Sequence, residues 1–352
     1  MFPANMLLST HLVTIFAKKE RHNMKVGILG TGWIADKMAV TLTGLDKKEG
    51  IELYAVASRS KEKAEKFAAD WKMPKAYGSY QALVEDPAVD LVYIATPHSH
   101  HYDNSVMAIE AGKAVLCEKA FTANAAEAKK LIELAHARKV LITEAIWTRY
   151  MPLSLKVNEL LKQGVIGEPQ QLSASLSYPM AQKERILRPE LCGGTLLDIG
   201  VYCINFARMY FGTDIEKVTS EFVIGETGMD MQNSIAFHYR DGKMANLQSS
   251  VMCRCDRKGL ICGSENYLTV DNINCPEKVT VWDDYKPVAE FYPPSNQVTG
   301  YEYQVMACRD ALRDGLIESP YMPHNETIAI MQQMDELRAE WGVKYPNDLR
   351  VL

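Results

Sequence analysis

The residues of this chain best suited to moving a proton at a carbonyl are Lys119, Asp198 and Tyr202. Asp198 and Tyr202 stand four apart in a helix predicted over Thr195–Phe211, so both lie on one face. Gly193-Gly194 precedes that helix, and Thr195 is placed to cap its start. A tyrosine phenol, with an ordinary pKa of about 10, becomes a proton shuttle when a nearby ammonium stabilises its phenolate. Lys119 is the candidate ammonium. Ala114-Val-Leu-Cys-Glu118-Lys119 ends a predicted parallel strand, and ligands of open α/β sheets bind outside the carboxyl ends of strands. In a reduction Tyr202 would protonate the carbonyl oxygen as hydride arrives; in an oxidation it would take the alcohol proton. Spacing alone also allows blander readings, with Tyr202 packed in the core on Asp198 and Lys119 at a solvated strand end.

A hydride needs a carrier, and residues 24–38 offer a place for one. An apolar strand runs into Gly30-Thr31-Gly32-Trp33-Ile34-Ala35 and then into a helix, a dinucleotide fingerprint with alanine in the third small position. Gly30 allows the tight turn, Gly32 lets the backbone approach a pyrophosphate, and Ala35 keeps the helix against the strand. The helix start at Trp33 and Ile34 offers unpaired N–H groups to the phosphates. The competing reading is a tight turn with no ligand. NAD-selective sites usually end the second strand on a carboxylate, but here it ends Ala57-Ser58-Arg59-Ser60. Ser58 and Arg59 suit a 2′-phosphate, so NADP(H) is favoured over NAD(H), with use of both allowed.

Composition narrows the class. The chain has 352 residues, enough for two domains with real cores, and at 47% hydrophobic and 24% charged it reads as a soluble globular protein. A net charge of -5 provides no basic stripe for nucleic acid. No apolar run approaches the roughly 20 residues that span a bilayer, so no membrane partner is expected. The eight cysteines are scattered without zinc spacing and read as reduced thiols of a cytoplasmic protein. Residues 1–23 carry their positive charges after the apolar stretch, unlike a secretory signal, and read as a dispensable extension before Met24.

The elements that must position these groups follow from periodicity. Strands at Lys25–Leu29, Ile51–Ala57, Leu91–Ala95, Ala114–Cys117 and Val140–Thr143 alternate with helices at Ile34–Thr43, Lys61–Trp71, Ser105–Ala111 and Ala125–Arg138, with a helical turn at Gln81–Val84. That pattern is a doubly wound Rossmann-type parallel sheet over 24–146. From 147 to 352 strands follow one another at Leu172–Leu176, Val218–Val223, Ser234–Tyr239, Ala245–Val251, Tyr267–Val270 and Val279–Trp282. Helices are predicted at 195–211, Tyr301–Asp314 and Glu326–Trp341. This half is an α+β domain with a large, mostly antiparallel open sheet, expected to bind substrate and to join subunits.

Four motifs together resemble the glucose–fructose oxidoreductase/inositol dehydrogenase/rhizopine catabolism (Gfo/Idh/MocA) family, and within it the dihydrodiol dehydrogenase and NADP-dependent D-xylose 1-dehydrogenase branch. They are Gly30-Thr-Gly32, Ala95-Thr96-Pro-His98-Ser-His-His101, Glu118-Lys119 and Gly193-Gly-Thr-Leu-Leu-Asp198-Ile-Gly-Val-Tyr202. Glu144-Ala-Ile-Trp147-Thr-Arg149-Tyr150 and Gly315-Leu-Ile-Glu-Ser-Pro320 extend the likeness nearly to the end of the chain. The resemblance implies Tyr202 as acid/base, where many relatives carry histidine, Lys119 as its electrostatic helper and Asp198 as a substrate-positioning group. It implies cofactor contacts at Thr96, His98, His101 and Glu118, with both histidines beside the nicotinamide. It also implies a sugar, polyol or cyclic diol substrate, for which Trp147, Arg149, Tyr150 and Tyr178 would form a polar aromatic wall. The His-x-x-His loop lacks a cysteine or carboxylate at ligand spacing, so no metal is expected. A homodimer or larger homo-oligomer through the second sheet is expected as well. One departure stands out: relatives usually carry Glu-Lys-Pro, and here Ala120 replaces the proline, leaving the aim of Lys119 less fixed. That keeps a catalytically weak dinucleotide-binding regulator or sensor as the alternative to an NAD(P)-dependent oxidoreductase.

Overall fold

Short apolar strands with no polar face belong inside a parallel sheet covered by helices on both sides. The computed structural model describes residues 23–45 and 47–350, so the extension expected at 1–23 lies outside them except for Asn23. Strands β1 (Met24–Leu29), β2 (Ile51–Ala57), β3 (Lys75–Tyr77), β4 (Leu91–Ile94), β5 (Ala114–Glu118) and β6 (Ile142–Ala145) run parallel in the order β3-β2-β1-β4-β5-β6. Helices α1 (Trp33–Gly44), α2 (Lys61–Trp71), α3 (Tyr80–Val84), α4 (His101–Glu110) and α5 (Ala125–Arg138) make the crossovers. The strand order reverses between β1 and β4, which opens a crevice at their carboxyl ends.

The second half begins with α6 (Pro152–Lys162) and β7 (Pro169–Ser177), then α7 (Glu184–Leu187) and α8 (Val201–Phe211). Strands β8 (Ile215–Ile224), β9 (Asp230–Tyr239), β10 (Met244–Ser250), β11 (Gly259–Gly263), β12 (Tyr267–Asp271), β13 (Lys278–Asp283) and β14 (Lys286–Phe291) follow. With β7 they form one eight-stranded sheet, β14-β13-β12-β11-β7-β10-β9-β8, antiparallel except at the β7–β10 pair. One face is apolar: Ile235 and Phe237 of β9 and Ala245 and Leu247 of β10 are buried, while their neighbours Gln232, Ser234, Met244 and Asn246 are exposed. The nearly all-buried α8 lies on that inner face. Helices α9 (Glu302–Arg313) and α10 (His324–Trp341) then carry the chain back to the first sheet. There Ile142 donates to the Ile317 carbonyl at 3.1 Å, His324 Nε2 meets the Ile142 carbonyl at 2.9 Å, and Arg309 pairs with Glu49 at 2.8 Å.

The sequence reading differs from the structure in instructive places. β3 and β14 were not anticipated: one is three residues long, and the other opens Lys286-Pro287 at a sheet edge, where a proline costs no ladder bond. β11 is bracketed by glycines that resemble loop signals. α6 has a proline at its first position, and α4 starts at His101 rather than Ser105. β6 begins two residues later than expected. The helix predicted from Thr195 instead opens with a π-helical turn, Leu196–Gly200, before α8.

Gly259 shows how tightly α8 is seated. A Cβ there would stand 2.2 Å from Phe206 Cζ, and that ring is fully buried. Gly259→Ala should therefore cost about 1–3 kcal/mol in urea unfolding, and adding Phe206→Leu should recover part of the loss. A neutral Gly259→Ala would show that the helix is free to shift on its sheet.

Candidate active site

The crevice starts at the turn after β1. Gly30 has φ +111°, and a Cβ there would stand 2.7 Å from the Ala95 carbonyl oxygen, so only glycine fits. Gly32 is the reverse case: its Cβ would meet nothing within 4 Å. No side chain caps α1 at Gly32, so the amides of Trp33 and Ile34 open its N-terminus toward that space. Trp33 is exposed, and Thr31 sits between the two glycines. At the end of β2, Ser58 is nearly buried and receives the Ser60 amide at 3.3 Å, with Arg59 exposed beside it. Together the turn, the uncapped helix and this polar strand end fit a dinucleotide phosphate.

The loop after β4 is pinned to the loop after β5. His101 is fully buried, with Nδ1 at 2.9 Å from the Ala120 carbonyl and Nε2 at 2.8 Å from that of Thr96. The ring is neutral, its pKa pushed down to about 4 by burial, so it donates to one of these two carbonyls, and His101, expected beside a nicotinamide, is wedged between the two loops instead. The Thr96 hydroxyl accepts from Asn104 at 3.0 Å. His98 faces the crevice edge, with Nδ1 at 3.1 Å from the Cys192 carbonyl and its ring edge-on to His101. Burial, helped by His101 and Lys119, pushes its pKa down to about 3, so it is neutral. The Lys119–Ala120 peptide is cis, and Ala120 is fully buried. Lys119 is aimed by bonds, not by a proline ring: its Nζ donates to the Asp198 carbonyl oxygen and lies 3.4 Å from Asp198 Oδ1.

Lys119, Asp198 and Tyr202 do converge. The ammonium sits 5.1 Å from the centre of the Tyr202 ring while holding Asp198. The π turn puts Asp198 one wider loop away from Tyr202, yet both reach the same lysine. Its start is capped by Asp230, whose Oδ2 accepts from the Leu196 amide at 2.8 Å; Thr195, expected as the cap, makes no such bond. Tyr202 does not bond Asp198. Its oxygen accepts from Trp147 Nε1 at 2.9 Å, and Trp147 stacks on Tyr301 with ring centres 3.8 Å apart. Among the described residues no acceptor takes the Tyr202 proton, which is therefore available to a ligand in the crevice.

The electrostatics separate the two carboxyls. Burial raises Glu118 to about 7 despite the Tyr93 hydroxyl on Oε1 and the Lys119 amide on Oε2 at 3.2 Å. Burial would raise Asp198 as well, but Lys119 and Arg185 overcome it and hold that carboxyl far below its ordinary range. Tyr202 itself is pushed well above 10, first by burial and then by Tyr301 and Glu118. Burial thus outweighs the expected lowering by Lys119, and Tyr202 stands as a protonated donor.

Two expected substrate contacts point elsewhere. Arg149 is buried, with Nε on Asn205 at 2.6 Å and NH2 on Glu326 at 2.7 Å. Tyr150 is buried with its hydroxyl between Thr143 at 2.8 Å and the Glu144 carbonyl at 2.9 Å. Both are committed to core polar bonds. Of the aromatic wall, Trp147 reaches Tyr202, and Tyr178 bonds Asn274 at 3.2 Å. Sequence reasoning missed Tyr301 and Arg185, and no local motif marks either one. Among the described residues no cluster of three His, Cys, Asp or Glu side chains could hold a metal.

The chain is similar to known proteins over most of its length. Residues 24–145 match the oxidoreductase family with an NAD-binding Rossmann fold, and residues 154–269 match the GFO/IDH/MocA C-terminal domain. A mouse trans-1,2-dihydrobenzene-1,2-diol dehydrogenase is 34% identical over 335 residues, covering 93% of this chain and 99% of its own. An NADP(+)-dependent D-xylose 1-dehydrogenase of Hypocrea jecorina is 34% identical over 382 residues, covering 92% of this chain and 94% of its own. Among solved structures, the 3-ketoreductase KijD10 of Actinomadura kijaniata, in complex with NADP and TDP-benzene, superposes with a TM-score of 0.77 at 25% identity, covering 90% of this chain and 97% of its own. An aldose-aldose oxidoreductase of Caulobacter crescentus shares the fold, with a TM-score of 0.82 at 18% identity and coverage of 91% and 98%. With a dinucleotide cradle on one sheet and a matching second domain carrying Asp198 and Tyr202 to it, the chain belongs to the GFO/IDH/MocA oxidoreductase family.

Proposed function

We propose that this protein is an NADP(H)-preferring oxidoreductase that moves a hydride between nicotinamide and a secondary alcohol or carbonyl of a sugar, polyol or cyclic diol. The observation that carries the reading is the meeting of Tyr202, Lys119 and Asp198 at the carboxyl end of β5, on the same edge as the glycine turn. Residues 24–146 serve the cofactor, and 147–352 serve substrate and assembly. When bound, the nicotinamide gives or accepts the hydride. The rest belongs to the protein. In reduction the Tyr202 O–H breaks and its proton goes to the carbonyl oxygen, leaving a phenolate beside the Lys119 ammonium. In oxidation the phenolate takes the alcohol proton. Asp198, kept ionised, accepts a substrate hydroxyl, and neutral His98 completes the polar edge. The stacked Trp147 and Tyr301 hold the Tyr202 oxygen in place.

Cofactor preference rests on Ser58 and Arg59 in place of a carboxylate, and a similar D-xylose 1-dehydrogenase is named as NADP(+)-dependent. The free thiols of all eight cysteines favour a cytoplasmic location. Phe222, Val223 and Ile224, exposed on β8, favour a homodimer or larger homo-oligomer through the second sheet.

Four outcomes test this reading. With a panel of pentoses, hexoses and cyclic diols, Tyr202→Phe should lower kcat by about 10²–10⁴-fold with cofactor affinity kept; a fully active variant would remove the assigned proton donor. Gly32→Ala, which meets no protein atom, should keep its Tm yet raise the KM for both cofactors about tenfold, whereas Arg59→Ala should weaken NADP(H) alone, by roughly tenfold. Equal losses for NADP(H) and NAD(H) in Arg59→Ala would remove that residue from the 2′-phosphate. Sedimentation velocity at micromolar protein should show a dimer or larger species, and a monomer throughout would refute the assembly role of the sheet.

A further inference from the structure

Asp198 stands between two cations, and the second of them has no place in the mechanism so far. Its side chain is 8% exposed, with Oδ1 at 3.4 Å from Lys119 Nζ and Oδ2 in an ion pair with Arg185 NH1. Arg185 comes from α7, a segment docked on the turn that starts the site helix, where the Gly194 amide donates to the Ile186 carbonyl at 2.9 Å. Its other terminal nitrogen lies 3.2 Å from Met180 Sδ, so the guanidinium is held at both ends. Its side chain is 45% exposed at the mouth of the crevice.

Charge accounting gives this contact a consequence. A phenolate at Tyr202 is favoured by Lys119 just after β5 and disfavoured by Glu118 at the end of that strand and by Asp198 in the preceding π turn. The other groups facing it are neutral: Tyr93 from β4, Trp147 and Tyr301 ahead of α9; His98, which acts on Lys119 and Asp198 from the loop after β4, is neutral as well. If Lys119 alone balanced Asp198, the pair would sum to zero and the lysine would lend Tyr202 little field. Arg185 supplies the missing cation. We propose that Arg185 is a positioning residue of the hydride-transfer site, which takes one oxygen of Asp198 and so leaves the Lys119 charge to stabilise the Tyr202 phenolate.

This inference rests on the proposed acid/base role of Tyr202, and its test separates the two. The pH dependence of kcat for alcohol oxidation reports the group that must lose its proton in the substrate complex. In Arg185→Met that midpoint should rise by about half a pH unit or more, the half-exposed arginine being partly screened by water. Arg185→Lys should restore most of the shift. Arg188→Met removes only the exposed pair with Glu184 (2.7 Å) and should titrate as the parent. An unchanged midpoint in Arg185→Met overturns the proposal, and so does a rise in KM with the midpoint fixed, which would make Arg185 a substrate contact. Should Arg185→Met turn over too slowly to titrate, Arg185→Lys carries the comparison, and a midpoint below the parent value overturns it. A fully active Tyr202→Phe, measured alongside, would instead bring down the acid/base assignment itself.

Discussion

The ion pair between Lys119 and Asp198 is the constraint on which the site depends, because it joins residues 79 apart in the chain, one just past β5 of the first sheet and the other in the π turn before α8. Removing two charges from water is costly, and such a pair adds stability only when its other bonding capacity is met. Here each partner has a second electrostatic contact. The ammonium also donates to the Asp198 main-chain oxygen, and the second carboxylate oxygen faces Arg185. The pair therefore specifies an arrangement more than it adds stability. It fixes the π turn against the carboxyl end of β5 and brings the Tyr202 ring under the lysine.

Holding that arrangement takes a second ring of buried polar bonds. Glu326 of α10 accepts Arg208 of α8 through both oxygens, at 2.9 and 2.7 Å, and also takes Arg149 at 2.7 Å. Burial alone would raise Glu326, but the two guanidiniums lower it, so the cluster stays charged and directional. Arg149, which looks like a substrate contact in sequence, is thus one of the residues that hold α8 in place. The end of the chain closes the opposite side. Tyr345 donates to the Gly193 carbonyl at 2.7 Å, and Asn347 donates to the Ser99 carbonyl at 3.2 Å and to Glu127 at 2.9 Å. One short segment therefore ties the turn before the site helix to the loop that carries His98.

These long-range bonds separate what the sequence reveals from what it conceals. Helices α2 and α5 were legible to the residue, because Ser60 and Asn124 cap their starts and the apolar spacing is regular. β2 was equally clear. The glycine turn was legible because its steric demands are local: one glycine needs a positive φ and the other needs open space. Lys119, Asp198 and Tyr202 could be named, but their bonds could not. Local spacing favoured a Tyr202–Asp198 contact or a lysine-lowered phenol, whereas Trp147 takes the hydroxyl and burial raises its pKa. The π turn is invisible to a 3.6-residue period. Thr195 looked like a cap because threonine often is one, yet the cap is Asp230, 34 residues beyond the Leu196 amide that it accepts. Side chains such as Arg149, Tyr150, His101 and Arg185 are charged or polar in any sequence reading. Only the tertiary structure decides whether they face a ligand or the core.

The contrast between Glu118 and Asp198 carries this one step further. Both are buried carboxyls within reach of Lys119, and burial pushes both upward. Asp198 gains a second full charge from Arg185 and is held far below the ordinary carboxylate range. Glu118 gains a tyrosine hydroxyl and a main-chain amide in addition to the lysine, which is too little to offset its burial, and it titrates near 7. Environments that drive two titratable groups apart divide acid/base labour between them. In the proposed reaction the ionised carboxylate is the one that holds a substrate hydroxyl. The titrating one lies behind the lysine, where loss of its proton near neutrality sets a negative charge against the same phenolate that the lysine supports. Proton affinity at Tyr202 thus depends on three charges set by partners outside its own helix: Lys119, Glu118 and, through Asp198, Arg185.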